Sequence, residues 1–299
     1  MKLVSFASED GGGVGWLEGD DNVVDLGRAH GAWMMTVNDN LWMPITDMMD
    51  AIAAEIPTPG ILADVRKFVV DHDLIEEFLV DEFELLAPLP QPPRIIALGL
   101  NYAEHARETG KEPPEEPIFF AKASTAVIGP EAPVIIPQYI GRVDHEVELA
   151  VVLGIGGRDI PCDEADLCVF GYTVLNDVTA RDMQSADMAA GRPWLLCKGM
   201  DTFAPMGPYI VTTDEMAEPI EVDLALRVND ETRQRGNTRD LIFDIPEIIH
   251  RLSQYVMLEP GDVIATGTPS GISPIQPGDV MEAEVEGIGV LRNPVVAAP

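Results

Sequence analysis

A chain of 299 residues, 46% hydrophobic and 23% charged, can bury a core of its own and does not have the composition of a disordered protein. Its formal net charge of −32 excludes the clustered Lys and Arg on which nucleic-acid or anionic-membrane binding rests. No apolar run approaches the roughly 20 residues that span a bilayer, so no membrane association is expected. Three cysteines (Cys162, Cys168 and Cys197) without CxxC spacing read as free thiols of a reducing compartment. The start, MKLVSFASED, turns acidic at once rather than apolar, so the expected location is cytoplasmic.

Residues 1–88 read as a small N-terminal α/β domain. KLVSFA and VGWLEG, separated by SEDGGG, predict a hairpin, and NVVDL a third strand. TDMMDAIAAE predicts a helix with a threonine cap, and ILADVRKFVVDHDLIEEFL a longer amphipathic helix. The four prolines of APLPQPPR, Ala87 to Arg94, mark the boundary. Beyond it, IIALGL reads as a buried strand, NYAEHARETG as a short helix closed by Gly110, and PIFFAKAS as another strand. Short strands then dominate, among them VELAVVLG, FGYTVLNDV, PMGPYIVT, IEVDLALRVND, DVIATG and DVMEAEVEG. Helices interrupt them only at TARDMQSADMAA and IPEIIHRLSQYVM. Strands without regular helical crossovers predict an α+β, β-rich domain over residues 89–299, a β-roll or sandwich rather than a doubly wound sheet.

The stretch VDHEVELAVVLG carries the first chemical signal. On a strand, Glu146 and Glu148 share one face, and their apolar neighbours place that face partly in the interior. Alone, the pair also reads as the polar face of an amphipathic strand. Asp177 follows the apolar strand FGYTVLN and precedes a helix that Thr179 would cap. Three carboxylates leave positions open on a hard divalent ion such as Mg²⁺ or Mn²⁺, and the absence of His or Cys beside them argues against zinc. His145 points away from Glu146 on a strand and stays outside the set.

Cationic and polar groups follow. Arg181 and Gln184 lie three apart on the helix after Asp177, while Lys122 and Lys198 end apolar strand-like runs. Each singly reads as a solvated side chain. Two of only five lysines in such positions are harder to dismiss, and they can hold substrate carboxylates or stabilise an enolate. His105 and Glu108, three apart, read either as a surface pair or as an imidazole held by a carboxylate to activate water. GGGVG (11–15) and GIGG (154–157) lack the Lys-Ser/Thr and helix of a phosphate loop and read as hairpin turns. In ATGTPSG, Thr268 and the backbone N–H groups can cradle a carboxylate, or form an ordinary turn.

The ordered motifs NYAEH, FFAKAS, DHEVELAVV, NDVTARDMQ, KGMDTFAPMGP, LEPGDVIATGTPSG and EVEGIGVLRNPV resemble those of fumarylacetoacetate hydrolase family enzymes. The resemblance implies a mixed β-sandwich roll, a homodimer, and Mg²⁺- or Mn²⁺-dependent action on 2-oxo or 2,4-dioxo acids. It implies metal ligands Glu146, Glu148 and Asp177, and substrate contacts from Lys122, Arg181, Gln184 and Thr268. The catalytic residues it implies are Lys198 and a dyad of His105 and Glu108 on a lid. The expected reaction is hydrolysis of a C–C bond in an acylpyruvate- or fumarylpyruvate-like acid, through an enolate stabilised by the metal and Lys198. Isomerisation or decarboxylation of dioates or oxaloacetate in the same family is the alternative. A non-catalytic metal-binding protein would need neither His105, Glu108 nor Lys198. Leu100 departs from members that carry Arg before the NY pair, which weakens the case for oxaloacetate. The loop ISPIQ is also shorter than in many relatives.

Overall fold

A computed structural model describes residues 1–9, 11–19, 21–37, 43–56 and 59–299. The fold is α+β and is organised by a mixed eleven-stranded sheet. Its central strands, Val147–Leu153 and Val169–Asn176, pair antiparallel and are buried at every position. Strands covered on both faces need no polar alternation, which is why both read as continuous apolar runs. Val147, Leu149, Val151 and Leu153 point into one core, shared with a five-stranded sheet that includes Asp223–Val228 and Val280–Val285. Ala150 and Val152 point into a second, closed by the helices Leu26–Val37, Met48–Glu55 and Ile61–Asp71. No described helix is long and apolar enough to cross a membrane.

The strands on either side of Ala87–Arg94 share one sheet. Lys2–Ser8 pairs with Gly11–Glu18 along one edge and with Ala204–Thr212 along the other. The hairpin turn expected at SEDGGG is shorter than read, because Gly11–Glu18 is already strand; Asp10 lies outside the described residues. GGGVG is therefore strand and not turn. A Cβ at Gly15 would meet the Val24 carbonyl oxygen at 2.5 Å, so close strand packing explains that glycine.

Three further local expectations are corrected. The long helix over 61–79 breaks: Ile61–Asp71 ends before Asp73, which takes φ +57°, and Ile75–Phe78 is a separate turn. Aspartate tolerates that left-handed conformation better than most residues. Asp47, not Thr46, caps Met48–Glu55, accepting from the Asp50 N–H at 2.9 Å. Thr179 caps nothing. It pairs with Asp144 in a short strand, and the helix begins at Arg181.

Candidate active site

The strand pairing assembles the carboxylates. Val147 lies opposite Asn176 and Glu148 opposite Leu175, and just beyond, the Asp177 N–H donates to the Glu146 carbonyl at 2.8 Å. Asp177 thus emerges beside Glu146 at the end of one antiparallel ladder. Asn176 reinforces the junction, its Oδ1 accepting from the Glu146 N–H at 2.9 Å. Glu146, Glu148 and Asp177 are buried, and each offers an oxygen within 4.8 Å of the others'. All-oxygen donors of this kind suit a hard divalent cation.

The electrostatics of the three differ. Burial alone would raise the Glu146 carboxyl, but the Lys198 ammonium and Arg181 guanidinium outweigh it and hold it well below the usual range. Lys198 Nζ donates to Glu146 Oε2 at 2.7 Å and to Asp177 Oδ2. Burial would lower the Lys198 ammonium, yet Asp177 and Glu146 raise it, so it stays cationic. Glu148 has no such partner. Among the described residues it accepts only the Gly267 N–H, at 2.8 Å, and burial, Asp177 and Glu146 push its carboxyl well up, with Lys198 opposing them less strongly. A buried carboxylate beside two others and without a directly paired cation is what a bound divalent ion would relieve. The residues present therefore fit the metal.

Around this centre lies a cavity of about 280 Å³, lined by His105, Glu146, Glu148, Arg181, Gln184, Lys198 and Thr268, with Lys111, Phe120 and Trp194 among the others. Each nitrogen of Arg181 is engaged: Nε donates to Asp144 Oδ2 at 2.8 Å, one terminal nitrogen to Gln184 Oε1 at 2.5 Å, and the other to Glu146. It orients Gln184 so that the amide nitrogen remains the side chain's donor. His105 comes from the helix Ala103–Glu108 and is buried; its Nδ1 lies a long 3.4 Å from Glu108 Oε2. A carboxylate only accepts, so that contact puts hydrogen on Nδ1 and leaves Nε2 as acceptor. Burial pushes the imidazole below its ordinary value, with Glu146 and Glu108 partly opposing.

Two expectations about placement change. Lys122 does not line the cavity. Its buried ammonium donates to Asp177 Oδ1, to the Val178 carbonyl at 3.3 Å and to the Lys198 carbonyl. Strand pairing with Ile95 at the end of Ile118–Lys122 sends it behind the carboxylates, where it braces Asp177 instead of facing the cavity. Lys198 sits in a helical turn, Leu195–Lys198, not at a strand end. We expect Lys122→Met to lower stability by roughly 1–3 kcal/mol, because buried Asp177 loses one of its two ammonium partners and keeps Lys198. Urea unfolding with and without Mn²⁺ tests this, and added Mn²⁺ should recover part of the loss.

The loop ATGTPSG does cradle carboxylates, but they are the protein's own. Gly267 N–H serves Glu148, and Gly271 N–H serves Glu108 at 3.0 and 3.1 Å. Thr268 Oγ donates to the Val147 carbonyl at 2.8 Å and accepts from Gln234 Nε2 at 2.8 Å, so its hydroxyl proton is already committed. Gly267 takes φ +103°, and a Cβ there would meet Asn101 Cβ at 2.8 Å. Asn101, Gln234 and Asp144 are supports that sequence reasoning missed, since each acts through a partner far along the chain. Both ring nitrogens of His145 are occupied, Nδ1 by Gln234 and Nε2 by Ser273.

Residues 94–296 match the family described as fumarylacetoacetate (FAA) hydrolase C-terminal. The chain belongs to the fumarylacetoacetate hydrolase family. Within it, the mitochondrial oxaloacetate tautomerase FAHD2A of Bos taurus is 42% identical over 222 residues, 72% of this chain and 70% of that protein. Maleylpyruvate hydrolase from Sphingobium sp. SYK-6, solved with manganese(II) and pyruvate, is 34% identical over all of both chains, with TM-score 0.77. The 5-carboxymethyl-2-hydroxymuconate delta-isomerase from Mycobacterium smegmatis is 35% identical, again over both whole chains, with TM-score 0.74. Hydrolase, isomerase and tautomerase thus share this fold and family.

Proposed function

We propose that this protein is a divalent-metal-dependent hydrolase that cleaves a C–C bond in a 2,4-dioxo acid of the acylpyruvate class. The observation that carries the reading is one cavity lined by Glu146, Glu148, cationic Lys198 and a buried His105 kept neutral beside Glu108, with an Asp177 oxygen within 4.8 Å of both glutamate carboxylates. Bound Mg²⁺ or Mn²⁺ would supply Lewis acidity toward the carboxylate and adjacent oxo oxygen of the substrate. Lys198 stabilises negative charge growing on the oxo oxygen as the bond breaks. Gln184 donates its amide N–H to the same end of the substrate. His105 Nε2 takes the proton of an attacking water, and Glu108 supports the imidazolium that results. Water adds to the 4-oxo carbon, the C–C bond electrons leave as an enolate, and protonation gives pyruvate or another 2-oxo acid plus a carboxylic acid. The Sphingobium hydrolase with manganese(II) and pyruvate supports this reading.

A second reading, proton transfer without cleavage, is favoured by the 42% identity to an oxaloacetate tautomerase. Lys198 serves an enolate there too, with no need for water attack. A panel of acylpyruvates, fumarylpyruvate and oxaloacetate, incubated with Mn²⁺- or Mg²⁺-loaded protein in ¹⁸O-water, separates the two. Hydrolysis puts one ¹⁸O into the carboxylic acid product. Enol–keto conversion without cleavage selects the second reading, and no turnover of any member overturns both.

A further inference from the structure

Lys111 is a cavity cation that the chemistry above leaves unused and, unlike Arg181 and Lys198, it forms no ion pair among the described residues. It follows the helix that carries His105, and its backbone N–H donates to the Ala106 carbonyl at 2.9 Å, after Gly110 turns the chain at φ +73°. Ala106 is fully buried, so the start of this loop is tied to the core. The local sequence, GKEPPEEP, offers three exposed carboxylates in Glu112, Glu115 and Glu116. The ammonium turns from all of them into the cavity. There it meets the Met188 sulfur at 3.4 Å and lies 5.9 Å from the centre of the Trp194 ring.

That placement is unusual for this chain. With 51 Asp and Glu against 19 Lys and Arg, acidic partners are plentiful. Lys67 pairs with Asp71, Lys122 with Asp177, and Lys198 with Glu146 and Asp177, while Lys2 lies over the Tyr209 ring at 5.1 Å. Among the described residues, no carboxylate forms an ion pair with Lys111; a thioether sulfur is only a weak acceptor. Partial burial and the Arg181 guanidinium both weigh against its charge. An anion from solution would relieve both. Trp194, Phe120 and Leu98 wall the same cavity with apolar surface, and the Phe120 and Trp194 rings pack edge-on at 5.4 Å. Such walls suit a short carbon chain running between two polar ends.

We propose that Lys111 reads the far end of the substrate, pairing with a second carboxylate, so that the preferred substrate is a dioate rather than a 2-oxo acid with an apolar tail. The inference rests on the reading that this cavity takes a 2-oxo acid at the Glu146–Glu148–Asp177 end. Lys111 is then a specificity-determining residue on the same segment as His105, and binding the distal carboxylate also holds that segment over the substrate.

The test is calorimetric titration of the Mn²⁺-loaded protein. Ligands are pyruvate, which carries the 2-oxo acid end alone, and 2-oxoglutarate, 2-oxoadipate and 2-oxopimelate. Each dioate is compared with the 2-oxo monoacid of the same carbon number. Wild type is expected to bind at least one dioate roughly tenfold tighter than its matched monoacid, the effect of a partly desolvated charge pair. Lys111→Met keeps the length and the contacts with Met188 and Trp194 but should abolish that preference, leaving pyruvate affinity unchanged. Lys111→Arg should retain it. Absence of any preference in wild type, its persistence in Lys111→Met, or an equal loss of pyruvate binding in Lys111→Met would each overturn the proposal. If pyruvate does not bind wild type at all, the 2-oxo acid reading fails and takes this one with it.

Discussion

Glu148→Gln is expected to lose more than about 100-fold in affinity for Mn²⁺ or Mg²⁺, since losing even a supporting group behind a metal ligand costs 10–100-fold. Glutamine preserves the shape and an oxygen for the Gly267 N–H, so the effect isolates the charge. Glu148 is the decisive member because Glu146 and Asp177 already bond Lys198 directly, whereas among the described residues Glu148 forms no ion pair and feels Lys198 only at longer range. Its pH behaviour follows. Burial and the neighbouring Asp177 and Glu146 raise its carboxyl, so the metal-free fold holds that proton to higher pH than the unfolded chain does. The metal-free wild type should therefore lose stability as pH rises from the ordinary carboxylate range through the raised value. Metal competes with the same proton, so apparent affinity should rise over that interval. Glu148→Gln should show neither slope. Titration calorimetry and urea melts at several pH values read both, and unchanged Mn²⁺ affinity in the variant would refute the ligand assignment.

What made this centre readable is that its three carboxylates obey local rules. Glu146 and Glu148 alternate with Val147 in a strand, and Asp177 stands where an apolar strand must end, so one antiparallel pairing joins them. The supports obey no local rule. Lys122 and Lys198 look alike in sequence, each closing an apolar run, yet one braces Asp177 from behind and the other faces the cavity. Only the pairing of Ile118–Lys122 with Ile95–Gly99 decides between them. Lys111 stands in a glutamate-rich segment that reads as solvated surface, and its inward turn depends on Met188 and Trp194, more than 75 residues away. The loop ATGTPSG was legible as a carboxylate cradle but not as the cradle of Glu148 and Glu108. A donor's partner is set by tertiary structure. The same limit explains Asp47 taking the cap from Thr46, where two adjacent residues compete for one role.

His105→Ala and Lys198→Met are expected to separate hydrolysis from enolisation. Water attack needs a base, and His105 is held below its ordinary value by burial, hence neutral and able to accept a proton near pH 7. Its removal should cost roughly 10²–10⁴-fold in hydrolysis of an acylpyruvate. Hydrolysis by wild type should also fall as pH drops through that lowered value, because the protonated ring cannot serve, and His105→Ala should lose this limb. Enolisation of pyruvate, followed by NMR as deuterium exchange at the methyl group, involves no water attack and should suffer less. Lys198→Met removes the cation that both reactions use, so both should fall together. Neither residue is a proposed metal ligand, and each variant should still bind Mn²⁺ by calorimetry. Methionine at 198 leaves Glu146 and Asp177 without their shared ammonium, which makes the metal-loaded state the one to compare. Equal losses of hydrolysis and exchange in His105→Ala would mean that His105 positions substrate or its covering segment rather than activating water. The same site would then be read as that of a tautomerase or isomerase.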